Sequence, residues 1–128
     1  MPFKNVLRDE SSLWTEDRLA EQRAAHDGEA LARWAALVLR QLPAGPISLL
    51  SLSVEGCALA AVVAASRAEP TTWEHCTLQR PPVKNKGAKV VVEAVRLGKG
   101  VREELENYLP DAPILDGFAS TQGLSAAA

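Results

Sequence analysis

The feature that most constrains this chain is the alternation of short apolar runs with helix-forming segments. Residues 47–52 run Ile, Ser, Leu, Leu, Ser, Leu, bounded by Pro46 on one side and Glu55-Gly56 on the other. A run of that length between breakers reads as a buried strand. Residues 57–67 are dominated by alanine, which favours helix. A helix apolar nearly all round is expected to lie against a sheet. Lys89 to Val92, with Val95 beyond, is the strongest strand signal. The helix expected after it, 101–109, turns Arg102, Glu103, Glu104 and Glu106 to water. The chain is thus organised around two strand–loop–helix units, 47–65 and 89–108.

The remaining segments complete the alternation. Leu31, Trp34, Ala35, Val38 and Leu42 recur at helical spacing, with Arg33 and Arg40 on the other side. Thr15 is a plausible N-cap upstream, with Glu16 and Asp17 in the first turn. Gly28 marks a break that Asp27 would recap, and Pro43, Gly45 and Pro46 end the helix. Residues 71–78 are rich in β-branched and aromatic side chains and read as a strand. Residues 113–115 form a last short one. The order is helix, strand, helix, strand, loop, strand, helix, strand. It predicts an α/β fold with a mostly parallel sheet flanked by helices in three layers. The 128 residues suit one domain, and 47% apolar content is enough to give it a core. We expect an N-terminal extension at 1–14, the domain at 15–118 and a flexible tail at 119–128.

Charge and composition narrow the partners. A formal net charge of −2 gives no basic field to draw the chain onto nucleic acid. The most apolar run carries Glu55 and several serines, so no membrane span is expected. Residues 1–10 have no apolar core of a signal peptide, and the expected compartment is the cytoplasm. Cys57 and Cys76 read as two reduced thiols. His75 beside Cys76 on a strand points to the opposite face, and no second Cys/His pair stands at zinc spacing, so no metal site is expected. Cys57 near a helix start would have a lowered pKa, but nothing supplies an orienting third group for a Cys57–His75 pair. His26 reads as a surface or interface residue. Trp14, Trp34 and Trp73 read as core or interface anchors.

In a parallel α/β sheet, ligands bind beyond the carboxyl ends of the strands. Three segments are expected at that rim. The first, 51–56, is a tight turn into a helix, where Ser51, Ser53 and Gly56 would line an anion cradle of backbone N–H groups. Glu55 there would repel a phosphate. The second, 93–100, offers Glu93 to a ribose hydroxyl or a metal ion, and Gly98, Lys99 and Gly100 to a phosphate. The third, 79–87, is a basic loop with Arg80, Lys84 and Lys86 that would close over the anion.

Together the three segments resemble a type I phosphoribosyltransferase, most closely the orotate branch, over about half the chain, 47–115. Ser51 onward is similar to the family's pyrophosphate loop and its helix. The 80–87 loop resembles the flexible Lys-x-x-Lys-x-x-Gly loop, with Arg80 one residue out of register and Lys84 and Gly87 in it. Val90, Val91, Val92, Glu93, Ala94 and Val95 resemble the start of the donor-binding signature of four apolar residues, two acids and two apolar residues. The resemblance implies a phosphoribosyl pyrophosphate donor, Mg²⁺ if the chain is active and Lys84 as the catalytic residue; the Ala/Leu-rich helices and three tryptophans would suit the surface of a homodimer. Ala94 replaces the second acid, and residues 96–100 carry no hydroxyl where the family has a Thr-Thr-Gly-type loop. At about 1.5–3 kcal/mol per lost contact, these departures imply a degenerate donor site with weak or no transfer. The expected function is binding of a phosphoribosyl or nucleotide-type anion. The alternative is a non-catalytic protein-interaction or regulatory subunit on the same fold.

Overall fold

The computed structural model describes residues 23–78 and 87–119. Its elements run in the expected order: α1 (Gly28–Leu39), β1 (Ile47–Ser51), α2 (Val54–Ser66), β2 (Thr71–His75), β3 (Ala88–Val92), α3 (Lys99–Tyr108) and β4 (Ile114–Leu115). The four strands form one all-parallel sheet in the order β2-β1-β3-β4. The fold is therefore α/β with helices on a parallel sheet. The boundary expected at residues 14–15 and Thr15 with its first turn lie outside the described residues.

Strand alternation sorts the side chains into two cores. Ile47, Leu49, Val90 and Val92 face α1 and α2, where Trp34, Val38, Leu59 and Val63 close over them. Leu50 and Val91 face α3 and pack with Leu105 and Cys76. All five residues of β1 are buried, as a central strand covered on both faces requires. The chain leaves the sheet centre outward from β1 to β2, and outward the other way from β3 to β4. Right-handed crossovers then place α2 and α3 on opposite faces. The point where the direction reverses lies between β1 and β3, and it opens a crevice at their carboxyl ends.

Several boundaries differ from the sequence expectation. Asp27 caps α1 as expected, accepting from the N–H groups of Glu29 and Ala30. Helix α2 begins at Val54 rather than 57, because Ser53 is extended and its hydroxyl accepts from Gly56 N at 2.9 Å. Glu55 and Gly56 belong to the first helical turn, and the loop shrinks to Leu52 and Ser53. Helix α3 likewise begins at Lys99, with Gly98 as its N-cap, so Gly100 lies inside the helix. Strand β2 ends at His75, and β4 is only Ile114–Leu115. At the far end of the sheet the Arg67 guanidinium, 7% exposed, donates to the carbonyls of Pro43, Gly45 and Pro70 and pairs with Glu69 at 2.9 Å. It fastens the turns that lead into β1 and β2.

Candidate functional site

The site is built where β1 and β3 end side by side. Beyond Val92 the backbone stays strand-like for two more residues: Glu93 N donates to Leu115 O at 2.9 Å, and Ala119 N to Ala94 O at 2.7 Å. Ser51, the last residue of β1, turns its hydroxyl to Val92 O at 3.0 Å and ties the two strand ends together. The two-residue loop then presents its amides to the Glu93 side chain. Leu52 N donates to Glu93 Oε1 at 3.3 Å, Ser53 N to the same oxygen at 3.0 Å, and Ser53 Oγ to Oε2 at 3.0 Å. The donors of the first turn are thus engaged by a carboxylate from the chain itself.

That carboxylate is 2% exposed. Gly56 makes room for it: a Cβ there would collide with Glu93 Oε2 and stand 3.0 Å from Val92 O. Burial pushes the Glu93 carboxyl up to about 7 from 4.5, against the three hydrogen bonds that favour the ionised form, and the nearby Glu55 carboxylate pushes the same way. Glu55 is itself 8% exposed and its Oε1 lies 3.2 Å from His26 Nε2. His75 Nε2 lies 3.1 Å from Leu52 O on the outer side of the same turn.

Of the residues singled out from sequence, Ser51, Ser53, Gly56 and Glu93 come together in one cluster. Gly98, Lys99 and Gly100 form the start of α3, all exposed. That helix start has no side-chain cap and no acid of its own in its first turn, and the positions above Gly98 and Gly100 are open, but Asp116 from beyond β4 accepts from Leu97 N and pairs with Arg102 there. Arg80, Lys84 and Lys86 lie outside the described residues. Ala94 is fully buried, its methyl packed in the α1/α2 core.

The expectation for Cys57 is reversed. Its pKa is raised, first by burial and then by the Glu93 carboxylate, which outweigh the helix start. Sequence reasoning also missed the His26–Glu55 pair and the fit of Glu93 over Gly56. The glycine was visible, but what it admits comes from a residue 37 positions away. Among the described residues no group of three His, Cys, Asp or Glu side chains could hold a metal ion, and no helix is long and apolar enough to cross a membrane. A cavity of about 270 Å³ lined by Lys89, Tyr108 and Asp111 opens at the other end of β3, away from this rim.

No family model, curated protein or solved structure matches the chain.

Proposed function

We propose that the chain binds a phosphorylated small molecule of phosphoribosyl or nucleotide type at the crevice between β1 and β3, and transfers nothing. The observation that carries this reading is the position of Glu93. In a phosphoribosyltransferase-like site the first turn would hold the pyrophosphate, but here its donors Leu52 N, Ser53 N and Ser53 Oγ already serve a carboxylate. A leaving group that is not held is not stabilised as charge develops on it. The start of α3 is less fully engaged. Asp116 accepts from Leu97 N at 2.9 Å and pairs with Arg102 at 3.0 Å, but the N-cap Gly98 makes no side-chain cap bond, and Lys99 is exposed beside it. A helix start of that kind suits a single phosphate. Both oxygens of Glu93 face protein donors, so the described residues do not fit Mg²⁺ at this carboxylate, and no step runs through it.

Calorimetric titration tests the reading. Ribose 5-phosphate and a nucleoside monophosphate are expected to bind, the unphosphorylated nucleoside not at all. Phosphoribosyl pyrophosphate with Mg²⁺ is expected to bind no more tightly than ribose 5-phosphate and to release no pyrophosphate with any base. Absence of monophosphate binding, or pyrophosphate release, overturns it.

A second reading, a protein-interaction subunit or homodimer, is favoured by one observation. Trp73 is 46% exposed on β2, an edge strand of the described sheet. Sedimentation of the wild type against Trp73→Ser separates the two readings, because only an interface anchored there would dissociate.

A further inference from the structure

We propose that Glu93 is a proton-operated latch: its seated side chain fastens the β1–α2 turn to the end of β3, and ionisation favours its release. This concerns the chain itself and stands whether or not the crevice takes a phosphate.

The geometry provides a buried seat that a neutral carboxyl can also occupy. Oε1 accepts from two backbone amides, Leu52 N and Ser53 N. Oε2 faces Ser53 Oγ at 3.0 Å, and that hydroxyl oxygen already accepts from Gly56 N. A proton on Oε2 can be donated to Ser53 Oγ, since a hydroxyl oxygen accepts twice, so this contact survives protonation with its direction reversed. The amides satisfied in this way open the connection between β1 and α2. Release of one side chain therefore frees the donors of a whole turn.

The surroundings disfavour charge. Helix α2 contributes Glu55, which raises Glu93 further, and Cys57, whose thiol is in turn raised by Glu93. The segment after β2 contributes Cys76, 4% exposed, on which Glu93 and Glu74 both act. The turn before α1 contributes His26, whose ring is engaged with Glu55 rather than with Glu93, and β2 ends in His75, whose ring lies 3.1 Å from Leu52 O on the latched turn. The charged group that acts on Glu93 is thus another acid, and its position makes the seat less tolerant of ionisation.

Linkage fixes the direction. A seated carboxyl that ionises at about 7 and a released one that ionises near 4.5 differ in proton affinity by about 300-fold. The ratio of seated to released side chain therefore falls by up to that factor as pH rises from below 4.5 to above 7. Stronger hydrogen bonds to the ionised form do not reverse this, because they already act in the seated state and are outweighed there by burial.

The test is amide hydrogen exchange at Leu52 and Ser53 between pH 5 and 8.5, corrected for intrinsic base catalysis, together with ¹³C titration of the Glu93 carboxyl. In the wild type, protection of these two amides is expected to fall at least tenfold across the range, with the same midpoint as the carboxyl signal. Protection in β1 itself stays level. Glu93→Gln, which keeps an acceptor in the seat but cannot ionise, is expected to show no pH-dependent fall. Gly56→Ala puts a methyl into the seat and is expected to leave both amides poorly protected at every pH. Glu55→Gln removes the neighbouring charge and is expected to move the wild-type midpoint to lower pH. Level wild-type protection across the range, or the same fall in Glu93→Gln, overturns the latch.

Discussion

Replacing Glu93 by Gln should change how global stability depends on pH, and the sign is fixed by the seat. The folded-state value lies near 7 and the ordinary value is 4.5. Between those limits the folded chain holds a proton that the unfolded chain has released. Stability is therefore fully present below about pH 4.5 and is lost as pH rises through about 7. At about 1.4 kcal/mol per pH unit, the loss amounts to about 3 kcal/mol. Glutamine has nearly the same shape, keeps an oxygen for Leu52 N and Ser53 N, and cannot ionise. Urea unfolding of both proteins at pH 5 and pH 8 measures the effect, and the difference between them cancels the titrating groups that Glu93 does not act on. The variant is expected to gain on the wild type by about 2–3 kcal/mol between the two pH values, whatever its offset at pH 5. Parallel profiles, or a variant that loses ground at pH 8, would refute the reasoning. Either would mean that the hydrogen bonds from the β1–α2 turn outweigh burial and that Glu93 is ionised in its seat.

Three further outcomes follow from the same contacts. Ala94→Asp places a carboxylate where the side chain is fully buried among apolar neighbours, and is expected to cost about 3 kcal/mol or more in denaturant midpoint instead of creating a ligand contact. Arg67→Ala leaves the carbonyls of Pro43, Gly45 and Pro70 without their donor, for a loss of about 2–3 kcal/mol by thermal unfolding that Arg67→Lys only partly restores. Native-state alkylation at pH 8 followed by mass spectrometry is expected to spare Cys76, which burial pushes up to about 11, so that about one thiol in a thousand is ionised, and to label Cys57 more slowly than a free thiol but faster than Cys76.

Element type and order were legible because they rest on local pattern. Alternating apolar runs mark β1 and β3, alanine marks α2, and Asp27 after a break marks the start of α1. Boundaries were less legible where glycine is ambiguous. Gly56 and Gly100 look like turn residues, yet both sit in first helical turns, because Ser53 and Gly98 take the extended cap conformation just before them. The rim was legible as a place: Ser51, Ser53, Gly56 and Glu93 do meet there. What they do to one another was not. Whether Glu93 points outward to a ligand or inward to Ser53 depends on strand register across 40 residues, and on the absence of a side chain at position 56. The raised Cys57 thiol was hidden for the same reason, since its burial, and the Glu93 carboxylate that adds to it, both come from the tertiary fold.

The buried Ala94 and the seated Glu93 are two consequences of one backbone path. Val90, Val92 and Ala94 all enter the α1/α2 core, so the strand's alternation continues past the end of β3. It continues because Glu93 N is held by Leu115 O and Ala94 O by Ala119 N. With that path, residue 93 reaches sideways to the β1–α2 turn while residue 94 is directed into the core. Two neighbouring acids could not both reach a ligand in the crevice unless the backbone left those partners. Restoring an acid at position 94 alone would therefore break the core without rebuilding a paired carboxylate. A change that freed the backbone from Leu115 and Ala119 would release Glu93 and position 94 together. The chemistry at this rim is thus decided by the hydrogen bonds that extend β3, and side-chain identity at position 94 is secondary to them.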